Sequence, residues 1–210
     1  MKTAIANPRA AAIAMAVGFA TLLPAFPAPQ ETRPTPGPDC VECPHWEAPA
    51  HLTSRLTIAP PGEPGDRLVL EGTVFRPDGK TPAAGVLLYA YHTNARGYYA
   101  HAEGTTGQGR WHGDLRGWLR TGADGRYRIE TIRPAPYPSG GIPAHIHMHM
   151  MVEGGRERWI DDVVFDDDPL VTAAYRRAAG LRPAGPGIVH LERNAAGVLH
   201  GRRDIVLPAE

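Results

Sequence analysis

Residues 137–150 read YPSGGIPAHIHMHM, a tyrosine and a Gly/Pro turn followed by histidine at every second position. The alternation predicts a β-strand over residues 144–152, with His145, His147 and His149 on one face and the apolar residues on the other. At about 3.3 Å per residue, neighbouring histidines stand about 7 Å apart and can share an ion, whereas the outer two stand about 13 Å apart. The spacing predicts a metal-binding pair, 145/147 or 147/149, unless the histidines merely form a half-exposed sheet face.

The composition limits the partners that the chain can have. The 210 residues hold 22 Lys and Arg against 22 Asp and Glu, and 42% are hydrophobic. This length allows one domain with a sizeable core and attached segments. A balanced charge offers neither the basic groove of a nucleic-acid-binding protein nor a polybasic membrane patch, so we expect neither partner.

The N-terminus has the order of an export signal. Lys2 and Arg9 flank the start of the chain, an apolar run covers residues 10–23, and small residues and prolines follow around residues 25–28. This order predicts a cleaved signal peptide over residues 1–28 and a periplasmic or secreted protein. The alternative is an uncleaved anchor, although the run is shorter than the ~18–20 apolar residues that span a bilayer. We therefore expect no stable membrane insertion.

The segment after the predicted signal is rich in proline. Residues 29–65 hold few large apolar side chains, which is typical of an extended linker. Cys40 and Cys43 are the whole cysteine content and form a CxxC motif. In an exported protein this motif favours a local disulfide over a metal-binding role, because two cysteines alone do not complete a zinc site.

From residue 66 onward the chain consists of short β-runs separated by turn residues. The runs cover residues 68–75, 85–91, 115–121, 126–132, 144–152, 158–165, 187–192 and 198–206. Residues 122–125, Gly-Ala-Asp-Gly, predict a hairpin between two of these strands, and a short helix is predicted around Val171–Ala179. Regularly spaced strands of this kind predict an all-β domain over residues 66–207, an antiparallel β-sandwich with long loops.

Two tyrosine-bearing loops offer further donors to a metal site. Tyr137 lies between two prolines that stiffen its backbone, and the Gly-Gly turn after it lets the chain fold back toward His145. Tyr98 and Tyr99 follow another turn, and because adjacent residues of an extended chain point opposite ways, only one is expected to face the site. Two tyrosinates with two imidazoles suit Fe(III) better than Zn(II), Cu(I) or Mg(II). The alternative for Tyr137 is an ordinary aromatic that caps the sandwich core, and the other member of the Tyr98–Tyr99 pair is expected to pack or to be exposed.

The sequence resembles the intradiol ring-cleavage dioxygenases, which are non-haem Fe(III) enzymes. The stretches that carry the resemblance are LEGTV at 70–74, DG at 78–79 with Pro82, YHTNARGYY at 91–99, DGRY at 124–127, TIRPAPYP at 131–138, PAHIH at 143–147, FDDDPL at 165–170 and RDIVL at 203–207. The resemblance implies that Tyr99, Tyr137, His145 and His147 bind Fe(III), and that His149 lies outside the ligand set.

The resemblance also implies a reaction. A catechol-type substrate would be cleaved with O2 to a cis,cis-muconate-type diacid, and Tyr137 would act catalytically by leaving the iron and taking a substrate proton. The sequence leaves the specific catechol and the number of chains in an assembly open, a homo-oligomer included. Residues 101–112, between the two tyrosine loops, are expected either to cover the site and influence substrate choice or to form a plain surface loop.

One position departs from the family pattern. Many members carry an arginine directly before the PAH motif, where this chain has Ile142. The cations available on loops are Arg96, Arg110 and Arg133, and the sequence does not rank them. The departure keeps two other functions open: a non-catalytic β-sandwich binding module, or a copper or zinc protein that uses the three alternating histidines.

Overall fold

Eleven β-strands build two facing sheets in the computed structural model, which describes residues 44–179 and 184–209. The strands are β1 Arg55–Thr57, β2 Arg67–Phe75, β3 Leu87–His92, β4 Arg116–Arg120, β5 Arg126–Ile132, β6 His145–Met151, β7 Arg158–Phe165, β8 Ile188–Val189, β9 Leu191–Arg193, β10 Leu199–Arg202 and β11 Ile205–Val206. Three short helices join them: the 3-10 helix Pro44–Glu47, α1 Gly109–His112 and α2 Ala173–Ala179.

The sheet order confirms the predicted β-sandwich. One sheet has the order β1-β5-β2-β10-β9, with β11 also paired to β2, and the other has the order β4-β3-β6-β7-β8. The long neighbours pair antiparallel, as predicted, while β1 with β5, β10 with β2, β11 with β2 and β7 with β8 pair parallel. Each parallel pair includes at least one strand of two to four residues, which is too short to show a clear alternation in the sequence.

Apolar residues of both sheets fill the space between them. Leu70 and Ile129 from the first sheet and Ile146 and Met148 from the second are completely buried, and they belong to one continuous cluster. Each buried side chain of this size stabilises the fold by roughly 1.5–3 kcal/mol relative to its exposed state. This core fixes which face of β6 is turned away from the sandwich interior.

The hairpin predicted at residues 122–125 is wrong. The turn leads from β4, which pairs with β3 in the second sheet, to β5, which pairs with β2 in the first sheet. Gly125 has the positive φ of 71° that a tight turn favours, so the turn itself is present. A two-glycine turn determines the local reversal of the chain, but not which neighbour each strand then pairs with.

The segment predicted as a linker contains ordered elements from Pro44 onward. Strand β1 pairs with β5, and the two residues after it, Ile58 and Ala59, are buried in the core. The predicted signal peptide, Cys40 and Cys43 lie outside the described residues. None of the helices within residues 44–179 and 184–209 has the length and apolarity of a membrane-crossing segment.

Candidate metal centre

Strand β6 has the two faces that its alternating sequence predicts. Ile146, Met148 and Met150 point into the core, and the three histidines occupy the opposite face. That face continues across β3, where Tyr91 lies opposite His147 and Tyr89 lies opposite His149. The outer face of this sheet is therefore lined with aromatic and imidazole rings instead of the charged side chains of a solvated surface.

Four side-chain atoms from three segments converge beside the start of β6. The hydroxyl oxygens of Tyr99 and Tyr137 are 2.6 Å apart, and the Nε2 atoms of His145 and His147 are 3.0 Å apart. The Tyr137 oxygen lies 3.1 Å from the first imidazole nitrogen and 3.3 Å from the second. The structure thus brings together the four residues that the sequence singled out, while Tyr98, 54% exposed, points to solvent.

The two loops that carry the tyrosines are tied to each other. The Asn94 side-chain oxygen accepts hydrogen bonds from two backbone N–H groups of its own turn, and the Thr93 hydroxyl donates to the Ala135 carbonyl at 2.7 Å. A Cβ on Gly97, whose φ is 84°, would lie 2.2 Å from the Pro136 carbonyl oxygen. Only glycine allows this approach, which positions Tyr99 and Tyr137 next to each other.

Each ligand-type imidazole is held through its other nitrogen. His145 Nδ1 donates to the Pro143 carbonyl at 2.7 Å, and His147 Nδ1 donates to the Asp162 carboxylate at 2.9 Å. An imidazole that is neutral and carries its proton on Nδ1 presents a lone pair at Nε2, and both Nε2 atoms face the common point. Burial lowers the pKa of His145, which keeps that ring neutral near pH 7.

Asp162 is the site residue that the sequence analysis missed. Strand β7 contains a bulge here, because Ile146 pairs with Val163 while Met148 pairs with Ile160, which leaves two aspartates opposite the single His147. The extra residue of the bulge turns the Asp162 side chain toward the His147 imidazole. The adjacent pair Asp161-Asp162 interrupts the alternation of β7, and this irregularity is the signal that could have identified it.

A cation fits this donor set. Asp162, His145 and His147 lie close enough for a three-residue metal cluster. The Asp162 carboxylate binds the outer nitrogen of His147, a position that fits orientation of the ring, and the two phenols are the other oxygen donors beside the imidazoles. Two lone pairs that face each other at 3.0 Å repel unless a proton or a cation lies between them. Burial raises the pKa of both phenols, so each keeps its proton until a cation displaces it.

Aromatic rings enclose the centre on the side of β3. The Tyr91 ring stacks on His147 at 4.5 Å and on His112 at 3.7 Å between ring centroids. His112 ends helix α1, so the last residue of the 101–112 segment contacts this face of the sheet, and covering of the site by the whole segment stays a prediction. Burial lowers the pKa of His112 to about 3, and its ring is uncharged. Trp159, 49% exposed, meets His147 edge-on at 5.7 Å between ring centroids.

His149 does not join the four converging atoms. Its Nδ1 contacts the buried Glu157 carboxylate at 2.8 Å, and the same carboxylate binds His45 of the N-terminal 3-10 helix. Its Nε2 has no hydrogen-bond partner within the described part of the chain. Of the two predicted histidine pairs, His145 and His147 have their Nε2 atoms 3.0 Å apart, whereas His149 shares the Glu157 carboxylate with the segment that precedes the sandwich.

Two of the three arginines named as substitutes for the missing one contact other residues. Arg133 makes a two-pronged contact with Asp167, at 2.7 and 2.8 Å, and lies over the Phe165 ring. Arg110 lies over the Trp111 ring at 5.4 Å between its guanidinium carbon and the centroid. Ile142 is 48% exposed on the loop between Tyr137 and His145. The structure thus gives Arg133 and Arg110 other partners.

Comparison with known proteins shows the family to which the chain belongs. The family model Dioxygenase_C, described as a dioxygenase, matches residues 41–198, which is most of the chain. The chain belongs to the intradiol dioxygenase family. It is 33% identical over 153 residues to catechol 1,2-dioxygenase 1 of Acinetobacter lwoffii, covering 64% of this chain and 48% of the relative. It is also 33% identical over 125 residues to the protocatechuate 3,4-dioxygenase beta chain of Burkholderia cepacia, covering 52% and 49% respectively.

Solved structures of the intradiol family share this fold. The dioxygenase domain of a dioxygenase carbohydrate-binding protein fusion from Streptomyces sp. SirexAA-E superimposes with a TM-score of 0.55 at 25% sequence identity. That match covers 77% of this chain and 92% of the other. The chain spans about half the length of the curated relatives it matches. The residues that match the family model, 41–198, include most of the sandwich and its loops.

Proposed function

We propose that this protein is an intradiol ring-cleaving dioxygenase that uses Fe(III) held by Tyr99, Tyr137, His145 and His147. The observation that carries the proposal is the convergence of two phenol oxygens and two imidazole nitrogens within 2.6–3.3 Å of their neighbours. Family membership supports the reaction type, since the relatives include enzymes named for catechol and protocatechuate cleavage.

The donor chemistry favours a ferric ion. Two phenolates neutralise two of the three positive charges of Fe(III), which lowers the cost of holding the ion in a half-buried site. Bound there, Fe(III) would supply Lewis acidity toward the two oxygens of a catechol and a redox-active centre that makes the ring reactive toward O2. Pro143 and Asp162 would keep the imidazoles aimed at the ion throughout.

Tyr137 is the residue that we assign to proton transfer. A catechol must lose two hydroxyl protons to bind through both oxygens, and Tyr137 Oη, as a phenolate, accepts one of them. This oxygen is within hydrogen-bonding distance of Tyr99, His145 and His147. Burial raises its pKa as a phenol, so its phenolate form would be a strong enough base for the task.

The substrate class follows from the same centre. A catechol-type ring and O2 would give a cis,cis-muconate-type diacid, which contains both atoms of the O2. Tyr99, Tyr137 and His147 are half-buried, so the donors keep some exposure through which a small aromatic molecule would approach. Export to the periplasm or beyond, after cleavage of residues 1–28, belongs to the proposal on sequence grounds alone, and association into a homo-oligomer stays a prediction.

Oxygen consumption tests the proposed reaction. Iron-loaded protein is mixed with catechol, protocatechuate or hydroxyquinol, and O2 uptake and diacid formation are followed together. We expect one O2 consumed for each diacid formed with at least one of the three, and Tyr137→Phe to reduce the rate by a factor on the order of 100 or more. Wild-type protein with a full complement of iron that consumes no O2 with any catechol would contradict the proposal.

A binding module is the second candidate, and Ile142 is the observation that favours it. An exposed isoleucine stands where many family members carry an arginine, and Arg133 pairs with Asp167 instead. Such a module would bind iron and catechol without turnover. Ile142→Arg separates the two functions, because an enzyme weakened by the missing cation gains rate on this change, whereas a pure binding module stays inactive.

A further inference from the structure

A cavity of about 540 Å³ lies at the opposite end of β6 from the metal centre. Residues of both sheets line it, including Arg76 after β2, Val86 before β3, Met150 in β6 and Leu207 after β11. Met150 is five residues from His145, which is about 16 Å along an extended strand. The cavity is thus distinct from the four converging donors, and none of them lines it.

At the cavity end of the sandwich, one arginine side chain lies on the core face of its strand. Arg158, the first residue of β7, pairs with Met150 in the antiparallel register of β6 and β7. Directly opposite residues of paired strands share a face, and Met150 is buried in the core. Arg158 therefore projects over the open end of the sandwich interior, where an apolar side chain would be the ordinary choice.

The cavity has an excess of positive charge. Arg76, Arg156 and Arg158 line it, and Glu153 is the one acidic residue of the lining. Within residues 44–179 and 184–209, no side-chain hydrogen bond or ion pair engages the three guanidinium groups, and the charge of Arg76 acts on the exposed Asp78 carboxylate two residues away. The whole chain has no net charge, so this concentration of cations is local. A guanidinium group binds a carboxylate through two parallel hydrogen bonds, which makes it the matching partner for an organic anion.

The floor of the cavity is apolar. Val86 and Met150 are buried there, and Val152 and Leu207 are half-buried. The volume is in the range of small-molecule sites, which combine an apolar lining with a few polar groups that orient the ligand. We propose that this cavity binds an apolar carboxylate, an aromatic or acyl acid whose body contacts the floor and whose carboxylate meets the arginines. This site would operate independently of ring cleavage.

Equilibrium binding of 2-naphthoate, with 2-naphthalenemethanol as the uncharged probe of the same shape, tests the site. Isothermal titration of the full chain at low salt is expected to show saturable binding of the acid and at least about tenfold weaker binding of the alcohol. Arg156→Gln with Arg158→Gln is expected to weaken naphthoate binding at least about tenfold, whereas Arg177→Gln, an exposed arginine outside the cavity, leaves it unchanged.

Three results would overturn the proposal. They are an absence of saturable naphthoate binding to the wild type, equal binding of the acid and the alcohol, and unchanged binding to the double variant with unaltered circular dichroism. Tyr137→Phe distinguishes this site from the proposed enzyme. Naphthoate binding that persists in Tyr137→Phe supports the separate cavity whether or not ring cleavage is observed, and binding lost in that variant would place the ligand at the metal centre.

Discussion

Replacing Asp162 tests how the second imidazole is held. Asp162→Ala removes the acceptor of the His147 Nδ1 proton, a hydrogen bond of 2.9 Å between side chains that are 14% and 32% exposed. A hydrogen bond to a charged group contributes about 1.5–3 kcal/mol, and the partial exposure here favours about 1.5–2 kcal/mol. Since about 1.4 kcal/mol corresponds to a tenfold change in affinity, we expect Fe(III) binding to weaken about ten- to thirtyfold.

Asp162→Asn separates orientation from direct ligation. The asparagine oxygen still accepts the proton of His147, so only the charge is lost and the expected weakening is about fourfold. If Asp162 were itself a ligand, the Asp162→Asn variant would lose nearly as much iron affinity as the Asp162→Ala variant. The carboxylate also raises the pKa of the Tyr99 and Tyr137 phenols, as a smaller cause than burial, so its removal offsets a minor part of the loss.

Competition for iron against a chelator such as nitrilotriacetate measures these affinities. The matched control is Asp166→Ala, which removes a carboxylate from another histidine, the exposed His190, at 2.8 Å and outside the site. Its iron affinity is expected to equal that of the wild type. Asp162→Ala protein that bound iron within twofold of the wild type would refute the orienting role.

Three further predictions concern stability and proton release. Burial lowers the pKa of His92 to about 4, so the unfolded chain binds a proton before the folded protein does as the pH falls. The free energy of unfolding should therefore drop by about 3 kcal/mol from pH 6.5 to about pH 4. Urea unfolding of the His92→Gln variant should lack this loss. Gly72→Ala should prevent folding or cost more than about 3 kcal/mol in the same assay, because its Cβ would lie 1.7 Å from the Arg203 carbonyl oxygen. Iron loading near pH 7 should release one proton fewer from Tyr99→Phe than from the wild type, as calorimetry in two buffers would show, because burial keeps that phenol protonated.

The fold was predictable where each element has a local signal. Strand β6 and the neighbours of similar length show alternating apolar residues, and their bounds differ from the predicted runs by about two residues. Strand β1 was missed because Arg55–Thr57 is three residues long within a proline-rich stretch, and its pairing with β5 is a contact distant in sequence. The crossing of residues 122–125 between sheets was missed for the same reason, since a turn motif holds no information about distant partners.

The candidate site was also predictable only in part. Tyr99, Tyr137, His145 and His147 could be selected because loop chemistry and alternation mark them. The partners that orient them could not, because Asp162 comes near His147 only through the bulge in β7, which depends on the register of two strands. His149 has the same sequence signal as its neighbours, and only the position of Glu157 shows that it serves a different contact.

The visible absorption spectrum of the iron-loaded protein tests the central claim most directly. Phenolate bound to Fe(III) absorbs visible light through charge transfer, so the wild type should be coloured, and Tyr99→Phe and Tyr137→Phe should each lose or shift part of that band. Tyr98→Phe, which alters the exposed neighbour, should leave the band unchanged. A band that stayed the same in both the Tyr99 and Tyr137 variants, at equal iron content, would contradict the proposed ligand set.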